Sequence, residues 1–253
     1  MVYGGYPATD TEVKSVAKTK TITTNASSQK GPEFTPSDFG WTAWPAGSYW
    51  YNVHVPKQGN MKAAVTHSGL SNKSTEYWTV PGYTPNFATT AQSTFTVPGG
   101  TSPVNDKIVG TNNAAGNFSE DVSATITLNW DGYPTSNTVA KSASKSVTVK
   151  TGGTVTSPNF TPSDLGMTEW QAGRYWYKLE VPRAKSMASA FTSPDREPSE
   201  TWESKGYTQN FTTTPQSTFK LHGGKSPVND KIVGTNNANG SMSEDVPATI
   251  TLN

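Results

Sequence analysis

The stretch AGRYWYKLEVP at 172–182 decides how this chain folds. Tyr175 to Val181 is dense in aromatic residues and ends at Pro182, which has no N–H to give to a ladder and so stops a strand. The same form, Gly-x-Tyr-x-Tyr, stands at 46–51 as AGSYWY. The surroundings recur with it. FTPSDFGWTAWPAGSYWYNVHVP at 34–56 returns as FTPSDLGMTEWQAGRYWYKLEVP at 160–182, shifted by 126.

Working outward, the rest of the chain obeys the same period. SPVNDKIVGTNNAAGNFSEDVSATITLN at 102–129 returns at 226–253 with four differences in 28 positions and a shift of 124. GYTPNFATTAQSTF at 82–95 returns as GYTQNFTTTPQSTF at 206–219. The chain is two copies of one unit of about 125 residues. Solenoid repeats run ~20–50 residues, so this period marks tandem domains.

Composition points to strands. There are 6 Leu against 19 Val and 38 Thr, and Val and Thr favour sheets over helices. Leu, Ile, Val and Phe make up only about 15% of the chain, but 8 Trp and 10 Tyr supply the missing apolar surface. Formal charge is +1, so the high net charge of a disordered chain is absent, as is a general drive toward nucleic acid or anionic membrane. No apolar run approaches the ~20 residues of a membrane-spanning helix. No signal peptide opens the chain, and Met1 leads straight into strand-like sequence, as an expression start does. The chain has no Cys, which removes disulfides, thiol catalysis and thiolate metal sites together.

Within a unit, short strands are expected at Ala124–Leu128, Ser146–Lys150 and Tyr175–Val181. Turns are expected at the Gly-Gly pairs 99–100, 152–153 and 223–224. Thr-Pro-Ser-Asp at 35–38 and 161–164 suits a single capped helical turn. Many short strands between turn signals read as an all-β chain of tandem antiparallel β-sandwiches. In immunoglobulin-like sandwiches a Tyr near the start of strand F bonds back to the backbone and pins the corner before it. Tyr49 and Tyr175 fit that role, with Tyr51 and Tyr177 facing inward; the plainer reading makes them strand aromatics of a core.

If 49–55 is strand F, one strand remains before a new domain begins near Thr84. That division gives a complete immunoglobulin-like unit at 84–207, the later strands of a unit at 1–83, and the first strands of another at 208–253. A half sandwich leaves an open edge and a bare apolar face. Segment 208–253 is then expected to complement a 1–83 segment, in the same chain or head-to-tail in a neighbouring copy. The alternative division is two ordinary domains, 1–129 and 130–253.

The order of motifs resembles the immunoglobulin-like stalk repeats of Gram-positive, actinobacterial-type cell-wall-anchored surface proteins and fibrillar adhesins. The residues that carry the resemblance are Val104–Ile108, Ala124–Leu128, Gly173–Tyr177 and Ser199–Thr201. It implies an extracellular, cell-surface stalk or pilus-like fibre, internal to a longer wall-anchored protein, projecting a domain toward a host or glycan ligand. Related stalk domains carry internal crosslinks. In the ester type a Thr of the first strand joins a Gln of the last. The resemblance places Thr89 and Thr90, and in the second copy Thr213 and Thr214, at the Thr position. Glu76 and Glu200 stand where the Gln belongs, a departure from the pattern. The isopeptide type uses Lys, Asn and a buried carboxylate; Lys107/Lys231, Asn86/Asn210 and Asp106/Asp230 recur, and exposed strand lysines are the plainer reading.

Catalysis finds little support. His54, His67 and His222 have no His at their repeat-equivalent positions, and no phosphate loop precedes a helix. The acidic pairs Glu120-Asp121 and Glu244-Asp245 lack calcium-loop spacing and read as solvated turns. No enzyme, cofactor or metal is expected. Carbohydrate binding is the alternative function, with Trp41 and Trp44 as candidate stacking rings, since Trp41 has Met167 opposite it in the other copy. Trp44/Trp170, Trp50/Trp176 and Trp78/Trp202 recur, which favours packing for those pairs.

Overall fold

The computed structural model describes residues 1–23, 25, 28–218, 220 and 222–252. The molecule is mostly β, built of several antiparallel sheets with almost no helix. Among the described residues no helix is long and apolar enough to cross a membrane.

Residues 1–83 contribute β1 (Val2–Tyr3), β2 (Lys14–Ser15), β3 (Gly47–Trp50), β4 (Asn52–Val55), β5 (Val65–Ser68) and β6 (Tyr77–Val80). Four of these form a sheet in the order β2-β1-β3-β6, and β4 pairs with β5 alone. The next strands are β7 (Pro85–Ala91), β8 (Asp106–Asn112), β9 (Asp121–Trp130), β10 (Lys141–Lys150), β11 (Thr154–Thr156), β12 (Gly173–Val181), β13 (Phe191–Thr192) and β14 (Thr201–Ser204). One sheet runs β10-β9-β12, with β13 and β14 both paired to β12; a second runs β11-β8-β7. Phe87 and Ile108 from the second sheet share a single buried cluster with Ile126, Leu128, Tyr177 and Leu179 from the first. Among the described residues the last strands, β15 (Gln209–Pro215) and β16 (Asp230–Asn236), pair only with each other.

The repeat is visible in the register. Tyr3 opposes Tyr49 as Trp130 opposes Tyr175, and Val2 opposes Trp50 as Asn129 opposes Trp176. The hairpin β15–β16 pairs Gln209 with Asn236 and Pro215 with Asp230, repeating Pro85 with Asn112 and Ala91 with Asp106 in β7–β8. The glycine of the Gly-x-Tyr motif has a reason to be there. Gly47 and Gly173 open their strands at φ +144° and +136°, and a Cβ on either would strike the backbone carbonyl of Gly5 or Gly132.

The single helical turns fall where the sequence put them, at Pro36–Phe39 and Pro162–Leu165. Asp38 accepts from Thr35 N–H and Asp164 from Thr161 N–H, both at 2.7 Å, and Gly40 and Gly166 end the turns in the left-handed region.

The copies differ where neighbours differ. β7 and β8 alternate buried and exposed, as a sheet with one covered face must, whereas every residue of β15 and β16 is exposed. β12 runs unbroken for nine residues because β9 pairs along it from Tyr175 to Glu180. Its counterpart at 47–55 has only Val2 and Tyr3 on that side, and it breaks at Tyr51 into β3 and β4. Ala124–Leu128 lies inside β9, yet the identical Ala248–Leu252 forms no strand.

Candidate functional site

An aromatic box is built twice. In the covered copy, Tyr175 stacks on Trp202 at 5.4 Å and 12° and meets Trp170 edge-on at 5.7 Å and 89°. In the first copy, Tyr49 stacks on Trp78 at 5.5 Å and 12° and meets Trp44 at 5.7 Å and 88°. Tyr175 Oη donates to the Gln171 carbonyl at 2.8 Å, and Tyr49 Oη donates to that of Pro45. Each hydroxyl closes a short loop onto the backbone four residues upstream. Gln171 N–H also donates back to Tyr175 Oη at 3.2 Å. Tyr175→Phe is therefore expected to lower stability by ~1–2 kcal/mol, read as a shift in urea midpoint.

The boxes differ in one wall. Phe95 fills the covered box, with its ring centroid 5.1 Å from both Trp170 and Tyr175. In the first copy Phe34, Trp44, Tyr49, Tyr51, Trp78 and Val80 line a cavity of about 290 Å³ at that place. An apolar cavity of roughly 150 Å³ admits a benzene ring, so a phenyl group fits here with room to spare. The repeat counterpart of Phe95 is Phe219, which lies outside the described residues.

Behind the covered box lies a polar knot. Asp106 and Glu200 are fully buried, and Thr89 is nearly so. Asp106 Oδ1 accepts from Thr90 N–H at 2.8 Å, but its Oδ2, both Glu200 carboxylate oxygens and Tyr177 Oη have no hydrogen-bond partner among the described residues. Burial pushes the Asp106 carboxyl up to about 7. Burial, and then the neighbouring Asp106 charge, push Glu200 up to about 8, with Thr89 pulling it back a little. Tyr177 is driven well above the phenol range by burial and by both acids. Among the described residues no cation pairs with either carboxylate, so burial is not offset and both acids favour the neutral form.

The remaining sequence candidates are scattered. Thr90, Thr213 and Thr214 are exposed, and Glu76 is half-buried on the other segment, its carbonyl accepting from Tyr51 N–H. Of the candidate Thr and Glu positions, Thr89 and Glu200 are the pair brought together. Lys107 and Asn86 face solvent while Asp106 faces the core. Trp41 stacks on Phe39 at 4.7 Å and lies edge-on to Trp44 at 6.2 Å, so both rings are half-buried in the first copy's own cluster. Among the described residues no group of three or more His, Asp or Glu is placed to hold a metal.

One feature escaped the sequence reading. Glu120, expected in a solvated acidic turn, joins the 1–83 segment to the next. Its carboxylate accepts from Tyr83 Oη at 2.9 Å and from Ser186 N–H and Oγ at 3.1 Å each. Tyr83 N–H donates to the Ser186 carbonyl at 3.0 Å, Ala188 N–H donates to the Tyr83 carbonyl at 2.8 Å, and Arg183 covers the Tyr6 ring at 5.0 Å. Tyr6 in turn sits on Gly82, where a Cβ would collide with the ring. The next junction repeats half of this. Tyr207 Oη donates to Glu244 at 2.6 Å, and Tyr133 sits on Gly206. Tyr133 is 59% exposed, with no counterpart of Arg183 above it among the described residues. The recurrence of Tyr83/Tyr207 with Glu120/Glu244 was the available signal.

No family model, curated protein or solved structure matches the chain.

Proposed function

We propose that the chain is a structural module of an extracellular stalk, made of immunoglobulin-like β-sandwiches stacked in series, and that it works mechanically and not as an enzyme. The strand order β10-β9-β12-β14 facing β11-β8-β7 across one core supports the sandwich assignment for 84–207. The stalk reading rests above all on the junction. A Tyr at the end of one unit donates to a Glu in the next, Tyr83 to Glu120 just before β9, and the same residue pair recurs at the following boundary as Tyr207 and Glu244. A repeated, hydrogen-bonded junction fixes the angle between neighbours and carries load from one sheet to the next. The resemblance to wall-anchored stalk repeats supports a cell-surface setting for such a module.

Small-angle scattering tests this directly. The wild-type chain is expected to be elongated and stiff. Glu120→Ala removes three hydrogen bonds at the boundary and is expected to broaden the distribution of end-to-end distances. Unchanged scattering curves in the variant would remove the junction from the account.

A further inference from the structure

The chain holds a single Asn-Gly dipeptide, Asn239-Gly240, and it lies against the 84–207 region at the second boundary. Its repeat counterpart is Ala115-Gly116. The two turns have one shape. Gly240 stands at φ +67° and Gly116 at +68°, and Asn236 Oδ1 and Asn112 Oδ1 each accept from the backbone N–H two residues on at 3.0 Å. The turn therefore does not need the Asn239 amide, which reaches across the boundary instead. We propose that Asn239 is a self-modifying site, which loses its amide when the boundary opens and then prevents the original contact from re-forming. This inference rests on the tandem-module reading and names a covalent change that regulates its second junction.

The reaction needs only the dipeptide and water. The Gly240 backbone nitrogen attacks Asn239 Cγ. The N–Cγ bond forms, the Cγ–Nδ2 bond breaks, and the amide group leaves with the Gly240 proton as ammonia. The product is a cyclic imide. Water then opens either imide carbonyl, so that an aspartyl or an isoaspartyl linkage replaces the asparaginyl one. The balance is one water consumed and one ammonia released. Glycine at 240 has no side chain to hinder the attack. Both residues face solvent, so water is at hand.

The closed boundary withholds the geometry that attack requires. Asn239 N–H donates to the Pro98 carbonyl at 2.8 Å, and Asn239 Nδ2 donates to the Val97 carbonyl at 3.3 Å. The Asn239 carbonyl lies on Gly99, which is buried at φ +94° and whose added Cβ would strike it. A Cβ on Gly240 would stand 3.2 Å from the Gly100 nitrogen. The attacking nitrogen belongs to the 239–240 peptide plane, and that plane must turn to bring it onto Cγ. Packed on Gly99 and Gly100 the plane is held, and the leaving group is tethered as well. Reaction then proceeds from the opened state, at a rate scaled by the fraction of time spent open. The product does not restore the contact. A carboxylate at 239 has no N–H for Val97 and sets negative charge against a carbonyl oxygen. An isoaspartyl linkage lengthens the backbone inside the turn.

Peptide mass mapping of the full chain, aged in mildly alkaline buffer, reads the conversion as a gain of about 1 Da at residues 239–240. Conversion in the folded chain is expected to be at least about fivefold slower than in the same chain unfolded in urea. Tyr207→Phe removes the hydrogen bond to Glu244 without touching the reacting dipeptide, and it is expected to raise the folded-chain rate at least about twofold. Gly99→Ala, which pushes on the Asn239 carbonyl, is expected to bring the rate nearer to the unfolded one. Aged wild type with converted sites is expected to show a broader distribution of end-to-end distances in small-angle scattering than fresh wild type, whereas aged and fresh Asn239→Ala are expected to agree. Equal rates in the folded and unfolded chain, a folded rate that neither variant raises, identical scattering from aged and fresh wild type, or equal broadening in aged Asn239→Ala would each overturn the proposal. Glu120→Ala probes the other boundary, so the stalk reading stands or falls on its own result.

Discussion

Replacing Trp170 with Ala is expected to cost the 84–207 region about 3–5 kcal/mol, the range for emptying a buried aromatic site. Trp170 is 2% exposed, and its indole N–H donates to the Ser102 carbonyl at 2.8 Å. The ring is boxed by Tyr175 and Phe95, so its removal leaves a large void and an orphaned carbonyl together. Trp44 occupies the same place in the first copy and meets Tyr49 at the same distance. It borders an already open cavity, however, so fewer contacts are lost, and Trp44→Ala is expected to cost well under half as much. Urea unfolding of both variants, with the cooperative transition of the larger core followed by circular dichroism, gives the comparison. Equal costs would mean that the two boxes are closed to the same degree and that the first has no vacancy to fill.

That contrast also marks how far the sequence could be read. Antiparallel β structure was legible in the Val, Thr and aromatic bias, and the strands at 124–128, 146–150 and 175–181 lie inside β9, β10 and β12. Local signals sufficed because 124–128 and 146–150 alternate, 175–181 is dense in aromatic residues, and Gly or Pro punctuates all three. The capped turns at 36–39 and 162–165 were legible for the same reason, since Thr and Asp three residues apart act within one turn. What could not be read was whatever depends on a distant neighbour. Ala248–Leu252 has the letters of a strand, but it has no β10 and β12 on either side to pair with. Asn52–Val55 has the alternation of Lys178–Val181 yet turns away, because nothing continues β1 alongside it. Glu76 and Glu200 are the same residue at the same place in the repeat; one is half-buried and the other sealed in the core. Burial is a property of the completed pair of sheets, so no reading of a single copy could separate them.

The sealed acids set the second large effect, a loss of stability as pH rises. Unfolded, Asp106 and Glu200 ionise near their ordinary values of 3.8 and 4.5; folded, they hold their protons to about 7 and about 8. Between those limits the folded state binds more protons than the unfolded state, so unfolding releases protons and stability falls with every step upward in pH. The fall begins near pH 4–5 and ends once the folded carboxyls have ionised, above about pH 8. The groups facing the acids do not reverse this sign. Tyr177 is held neutral above the same range, Thr89 carries no charge, and Glu197 adds a further negative field at Glu200. Each pKa unit corresponds to ~1.4 kcal/mol, and with discounting for coupling between the acids and for water reaching them, Glu200 alone should account for ~2–4 kcal/mol between pH 5 and 9. Glu200→Gln keeps the shape and removes the charge. It is expected to match the wild type near pH 5, to exceed its stability by that margin at pH 9, and to flatten the curve between. Asp106→Asn should act in the same direction, and the double variant should gain less than the sum, because each acid raises the cost of ionising the other. Urea midpoints measured from pH 5 to 9 decide the matter: a wild-type curve that is level or rising, or a Glu200→Gln curve parallel to it, would show that these carboxyls do not titrate inside the core.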